Sequence, residues 1–562
     1  MPMPSSPSTP SPRLESLGCD RVPGHLRRLD ERSTINPHHY ALKEFGGERF
    51  TALAGPFLAV EQLICQGRSP RHLINLRRFR VVMSFRLSLS PTAWITADRV
   101  TQQVLWLILF SILAPILGPR PYGLFAIVMV FVGFCEFILI EGVVEALVSV
   151  DELDHLHTST ANMAYGGIAL VLGLAISILA PAIGAAFHDE ELAYLIWTLA
   201  PLPALAALSA APVAVLRRTL RYKQLALRSI GGLALGGLFG IALAVAGAGV
   251  WALVLQVLTQ RIAEFIIVWL SASLRLRFKW STIHFHEINS VGMNVFAART
   301  MSFVCGQAPR IFIGYMLGPT EVGLFALSNR VLDTIIHTTV STRTAVGRIE
   351  MRDAERGSAE FNCLFLSMIQ NTSIVSFPLL LGVAALTPDL FRIWLDERWT
   401  LAVIPTQLLL LSGLPLVIFY CIDAGLLAAK LSNIFNKISA VQGITTIATV
   451  LCATPFGLDV TCFSFAARAW MLCPILLMWF ARECHTSVYP SLRQALRFFV
   501  GAMIMASVMY GSRWWLHRSY DFFFLCIEGG MLYFGYLYCF ARRQFREFLA
   551  DTIFYRYERQ SR

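Results

Sequence analysis

From about Thr101 to the end, the chain repeats one pattern: an apolar run near the roughly 20 residues that cross a bilayer, then a short polar loop. Backbone groups in hydrocarbon must be paired within their own segment, so each run is expected to be a helix. Fourteen candidate spans follow, over residues 101–117, 122–148, 163–187, 193–216, 225–247, 250–273, 289–317, 322–345, 361–387, 401–428, 433–454, 459–481, 494–511 and 520–541. The expected fold is an all-α polytopic membrane protein. Composition agrees: 15% of the 562 residues are charged, against about 25% in ordinary globular proteins, and the mean hydropathy is +0.59.

The net charge of +11 would suit nucleic acid if it were spread over a soluble surface. Here it sits in alternate loops. Arg217, Arg218, Arg221, Lys223 and Arg228 form one group, Arg275, Arg277 and Lys279 the next, then Arg348, Arg352 and Arg356, then Lys430 and Lys437, then Arg482, Arg493 and Arg497. The intervening loops, such as His188–Glu191, Ala246–Gly249 and Pro455–Asp459, are short and poor in basic residues. The positive-inside rule then puts both termini in the cytoplasm, with an even helix count and no nucleic-acid partner. One loop departs, because Val150–Thr160 carries Asp151, Glu152 and Asp154 and no Lys or Arg. Trp394, Trp399, Trp514 and Trp515 fall near the opposite ends of their spans, where interfacial anchoring is expected. Cys135, Cys305, Cys421, Cys452, Cys462, Cys473 and Cys526 lie in or beside apolar runs without metal-ligand spacing, and read as small packing residues.

Residues 1–90 differ from the rest, being rich in Ser, Pro and Arg with one short apolar stretch that Glu61 interrupts. They read as a disordered extension or as sequence upstream of a true start at Met83. The remainder divides into a first bundle over 91–275, a second over 285–482, and two appended helices with a basic tail over 483–562.

One motif occurs twice. Leu117-Gly118-Pro119-Arg120-Pro121-Tyr122-Gly123-Leu124-Phe125-Ala126 returns 200 residues later (317 − 117) as Leu317-Gly318-Pro319-Thr320-Glu321-Val322-Gly323-Leu324-Phe325-Ala326, with seven of ten positions identical. Gly and Pro end one helix and start the next at once, leaving no room for an extramembrane domain. Arg99 and Arg299 share the same offset. The repeat points to two homologous six-helix lobes followed by two further helices, the layout of an alternating-access transporter.

At this turn, at Ala146-Leu147-Val148 and at the basic stretch Leu216–Arg228, the chain resembles the Wzx-type polysaccharide and O-antigen flippases. Their superfamily also holds the multidrug and toxin extrusion transporters and the lipid II flippases. The resemblance runs from about Asp98 to Trp479. It implies a multi-pass protein of the bacterial inner membrane that flips undecaprenyl-diphosphate-linked oligosaccharides from the cytoplasmic to the periplasmic leaflet. Proton or sodium coupling, and polysaccharide polymerase or export partners, are further implied possibilities. No cofactor is implied. Two positions depart from the family pattern: Pro309-Arg310 keeps only the base of an acid-base pair, and Ser149 stands where a basic residue is common.

An ionisable side chain at mid-bilayer costs roughly 2.5–3.5 kcal/mol on insertion scales, so those present usually face a cavity or a partner. Arg299 and Arg310 lie eleven residues apart in the seventh span, on one helical face about 16 Å apart. With Arg99, Arg261 and Arg330 they are the candidate substrate-binding residues, since guanidinium groups hold phosphate oxygens bidentately and stay charged. Glu136, Asp333 and Asp423 are the candidate cation-coupling carboxylates. Arg330, Asp333 and His337 follow i, i+3, i+7 spacing on one stripe, and Arg261 can pair with Glu264. Snorkelling of the arginines to the interface, and structural pairing of the acids, are the competing readings.

Cation-coupled multidrug export is the alternative function, though a cavity for cations would favour carboxylates and aromatics over arginine. A membrane-embedded glycan polymerase or ligase is disfavoured. No Gly-rich nucleotide loop, metal cluster or nucleophile-base set is visible in the sequence, and the longest loop on the expected outer side offers only Asp389, Asp396 and Glu397.

Overall fold

A computed structural model describes residues 91–150, 153–272, 279–512 and 521–542. The described residues form helices and turns, with no strand among them. The helices are α1 (Pro91–Leu117), α2 (Pro119–Ser149), α3 (His155–Ala186), α4 (Glu191–Leu199), α5 (Leu202–Arg218), α6 (Tyr222–Val245) and α7 (Val250–Ala272). A second series follows: α8 (Thr282–Leu317), α9 (Pro319–Thr339), α10 (Ser341–Glu350), α11 (Ala359–Trp394), α12 (Val403–Ala428), α13 (Ser432–Ala453) and α14 (Leu458–Cys484). Helices α15 (Val488–Ser512) and α16 (Asp521–Phe540) complete the set.

Among the described residues, twelve stretches are long and apolar enough to cross a membrane. The expected count of fourteen therefore rests on α8 and α9, long helices at the seventh and eighth expected spans that are not among the twelve. Three boundaries also differ from the sequence reading. The fourth span is two helices, broken at Ala200 and Pro201. The eighth ends at Thr339, and a separate short helix carries Arg343 and Arg348. The tenth opens with a 3-10 turn, Glu397–Ala402.

The Leu-Gly-Pro turns work as expected from their residue types. Gly118 and Gly318 have φ of 78° and 94°, a left-handed conformation that ends α1 and α8 without a Cβ clash. Pro119 and Pro319 then occupy the first turn of α2 and α9, where a missing N–H loses nothing. In α6, Gly232, Gly236 and Gly240 recur every fourth residue and let α7 lie directly against the backbone. A Cβ on Gly236 would approach the Gln256 carbonyl to 2.6 Å.

The acidic loop also finds its reason. Asp154 caps the start of α3 by accepting from the His155 N–H, and its own N–H donates to His157 Nδ1 at 3.2 Å. Asp151 and Glu152 lie outside the described residues.

Apart from α2, α8 and α9, the helices of α1 to α7 and of α8 to α14 pack chiefly within their own series, and α2 runs along both α8 and α9 to join the two groups. Helix α15 packs on α11, and α16 on α15 and α11. The core is continuous across the junction, from Leu124 and Ile127 of α2 to Val322 and Phe325 of α9.

Candidate functional site

Among the described residues, three gatherings of polar side chains bear on the sequence candidates and on the contact between the helix groups. The first lies within the first helix group. Arg261 of α7 pairs with Glu136 of α2 and with Glu264 one turn along α7, both at 3.2 Å. Arg228 of α6 approaches Glu264 at 3.9 Å, and Gln260 donates to it at 2.8 Å. Glu264 also meets the close approach at Gly232, where a Cβ would sit 2.5 Å from its Cγ. Asp98 of α1 lies within reach of the charges of Arg228, Arg99 and Glu264. Three carboxylates thus share Arg228 and Arg261, and one oxygen each of Asp98 and Glu136 is buried without a partner.

The second place is the junction. Arg330 of α9 reaches across to α1, with its guanidinium 5.7 Å from the Trp106 ring and 3.5 Å from the Gln103 amide oxygen. Arg310 of α8 donates to Gln307 on its own helix. Both arginines feel the charge of Asp333, which takes a 2.7 Å bond from the Asn329 amide rather than closing an ion pair with Arg330. Arg310, Arg330, His337 and Asp333 therefore form one charged group on α8 and α9.

Of the remaining sequence candidates, Arg99 is exposed near the start of α1. Asp423 sits in α12 with a buried oxygen that has no partner. The side chain of Arg299 lies outside the described residues. The structure thus brings Glu136 and Arg261 together, with Arg99 at the edge of their group beside Asp98, and brings Arg310, Arg330 and Asp333 together.

The third place is the far end of α1, which sequence reasoning missed. The last carbonyls of a helix have no partner within it. Here side chains of the second group add to them: Trp399 donates its indole N–H at 2.9 Å to the Ala114 carbonyl, which also takes the Gly118 N–H at 3.0 Å, and Arg398 donates to the Pro115 carbonyl at 3.0 Å. Trp399 is fully buried and stacks edge-on with Tyr122 and Phe110 at 5.7 and 6.2 Å. The expectation that it anchors the interface is therefore wrong for this residue, because its polar atom is used between helix groups rather than at the lipid head groups. Trp394 is exposed, and Trp514 and Trp515 lie outside the described residues.

Residues 112–404, just over half of the chain, match the profile of the polysaccharide biosynthesis protein family. The chain belongs to that family. A curated relative, the succinoglycan biosynthesis transport protein ExoT of Rhizobium meliloti (strain 1021), is 25% identical over 334 residues, which cover 56% of this chain. The chain spans 66% of that relative's length, just under two thirds. Among solved structures, the lipid II flippase MurJ in an inward closed conformation superposes with a TM-score of 0.67 at 14% identity, covering 80% of this chain and 98% of the other. An inward-facing multidrug resistance transporter of the MATE family, in the MOP superfamily, gives 0.53 at 15% identity, with 68% and 94% covered. At these identities the structural likenesses establish the fold. None of the three is named as an enzyme, and the family member described here shares their helical membrane architecture.

Proposed function

We propose that this family member is a transporter that moves undecaprenyl-diphosphate-linked oligosaccharides from the cytoplasmic to the periplasmic leaflet of the bacterial inner membrane. The observation that carries the reading is the charged group at the junction, where Arg310 and Arg330 share the single carboxylate of Asp333. A diphosphate leaving water needs fixed positive charge, and guanidinium forks match its oxygens. In the first helix group Arg228 and Arg261 are already divided among carboxylates, so of these two groups the one on α8 and α9 has charge available to an anion.

A lipid chain also needs an apolar path. An almost wholly apolar cavity of about 550 Å³ lies between α11, α15 and α16, lined by Pro378, Leu386, Met505, Cys526 and Tyr533 among others. It suits part of a prenyl chain, while the glycan passes between the two groups as they rock. Names of relatives support the same class, since one is a succinoglycan transport protein and one structure is a lipid II flippase.

Cation-coupled drug export keeps one supporting observation. Asp98 and Glu136 each keep one buried oxygen without a partner, which could hold a proton or a sodium ion. The same oxygens would serve as a coupling site for the flippase, with Glu136 as carrier and Asp333 and Asp423 as further candidates.

The test is surface polysaccharide in a deletion strain complemented by variants, with immunoblots of membranes. Arg310→Ala is expected to abolish export at near-normal abundance, and Arg310→Lys to restore part of it because the bidentate fork is lost. Arg330→Ala should fall between them. Full export by both alanine variants would remove the anionic-substrate reading and put drug antiport ahead.

A further inference from the structure

The second helix group forms a separate, half-open cavity of about 380 Å³, inside the about 300–1,000 Å³ range of small-molecule sites. It is walled by α8, α9, α12, α13 and α14, with no residue from the first helix group. Cys305, Gly306 and Pro309 line it from α8, whereas Gln307 and Arg310 occupy the adjoining stripe of that helix. The polar groups on its wall are Asn329, Ser412, Ser439, Gln442, Thr446 and Arg468. It holds no Asp, Glu or Lys.

Arg468 of α14 is the unusual member. Its Nη1 makes two long bonds to α13, 3.3 Å to the Gln442 carbonyl and 3.4 Å to Thr445 Oγ1. The guanidinium carbon lies 5.9 Å from the Phe465 ring centre. Its Nε is buried with no partner, and no carboxylate among the described residues exerts its charge on it. A guanidinium held among the helices of a membrane protein normally has a carboxylate or a lined carbonyl shell. This one is held from one side through Nη1, with no carboxylate to neutralise it, so it keeps its charge beside the cavity, where a phosphate oxygen can take a charge-assisted bond.

We propose that the cavity is an anion site in which Arg468 binds one singly charged phosphate group, either the phosphodiester of a lipid head group or free monoanionic phosphate. Single charge follows from one cation with no second base on the wall, and the hydroxyl and amide groups of Ser412, Ser439, Thr446 and Gln442 supply neutral partners for the remaining oxygens. Asn329 connects this site to the junction, since it lines the cavity and donates to Asp333. Filling the cavity would thus be felt where Arg310 and Arg330 lie. The site stands apart from the transported substrate proposed above, and its existence does not depend on which glycan is carried or in which direction.

The test measures binding, not export, so its failure is distinguishable from failure of the transport reading. Full-length protein, stripped of lipid in detergent, is titrated with phosphatidylglycerol and separately with inorganic phosphate, with native mass spectrometry and thermal shift as readouts. Arg468→Gln removes the charge and should weaken binding of the active probe by about tenfold or more, the scale of a lost charge-assisted bond. Thr446→Val, which keeps Arg468 and removes one neutral partner, should weaken it less and serves where the glutamine variant folds poorly. Loss of the lipid response in the variants identifies a head-group phosphodiester, and loss of the phosphate response identifies the free ion. Equal binding of both probes to wild type, Arg468→Gln and Thr446→Val would overturn the proposal.

Discussion

Gly123 and Gly323 each stand where the other repeat's backbone would collide with a side chain. A Cβ on Gly123 would fall 1.6 Å from the Pro319 carbonyl oxygen, and one on Gly323 would fall 2.0 Å from that of Pro119. The two copies of the motif therefore touch each other reciprocally, α2 against α9, with backbone against backbone at these two glycines. Such an approach permits Cα–H···O contacts and close dispersion between helices that have no hydrophobic drive to associate in lipid. The motif is thus not only a turn; it is the contact surface between the two helix groups.

Alanine at either glycine must force α2 and α9 apart, and overpacking of this severity should cost about 3 kcal/mol or more, at the top of the usual range. Gly123→Ala and Gly323→Ala are expected to lower the melting temperature of the detergent-purified protein to similar extents, because the contact is reciprocal. Gly133→Ala is the control, since a Cβ there meets nothing within 4 Å. A Gly123 variant as stable as the Gly133 variant would contradict the contact.

The carboxylate-arginine group within the first helix group makes a prediction of non-additivity. Arg261→Ala leaves Glu136 and Glu264 facing each other's charge without their shared base. Since the Arg261 side chain is 35% exposed, the cost should be about 2–3 kcal/mol, below the ~3–5 kcal/mol of a fully buried pair. Adding Glu136→Gln should recover part of that loss, as measured by a double-mutant cycle on thermal or denaturant unfolding. A double variant as unstable as the sum of the singles would show that the pair is not coupled.

At the far end of α1, Trp399→Phe removes one interhelical hydrogen bond while keeping the ring, and should cost about 0.5–1.5 kcal/mol. Arg398 is oriented by Asp396, whose carboxylate accepts from Arg398 Nε at 2.6 Å and from the Glu397 N–H at 2.7 Å. The Arg398 bond is the main reason that the Asp396 carboxyl is held below its ordinary value, with the Glu397 bond second. A depressed folded-state value stabilises above the unfolded value of about 3.9 and is lost as pH falls through the folded one. The contact should therefore be insensitive to pH between about 5 and 8 and weaken only in stronger acid. The readout is labelling of a thiol introduced by Leu117→Cys with a membrane-impermeant reagent. Labelling should rise in Trp399→Phe, and any change near neutrality that Asp396→Asn abolishes would contradict the assignment.

Loop charges predict orientation. Reporter fusions after Glu190, in the turn before α4, and after Arg559 should report opposite sides of the membrane, the second being cytoplasmic. Reports from the same side would mean that α8 and α9 do not both span.

Much of the architecture was legible in the sequence because hydropathy and helix length are local properties. The apolar runs place most of the helices, and the Gly-Pro pairs at 118–119 and 318–319 mark their ends, since positive φ and a missing N–H are properties of those residues alone. Where local signals conflicted, at Pro201 and at Val340, the sequence reading merged helices that the chain breaks. The Arg261–Glu264 pair was also visible, being one turn apart. What the sequence could not give was pairing at a distance: Arg261 with Glu136 across 125 positions, Arg330 with Gln103 across 227, and Trp399 with Ala114 across 285. Arg468 looked like one more charge within a long span, and what sets it apart is that no carboxylate among the described residues exerts its charge on it. Sequence alone thus determined that this chain is a helical membrane protein with an internal repeat, because lipid imposes those rules residue by residue. Which arginines are neutralised and which remain open to an anion was decided by tertiary structure, because charge compensation depends on distances that only the packed helices define.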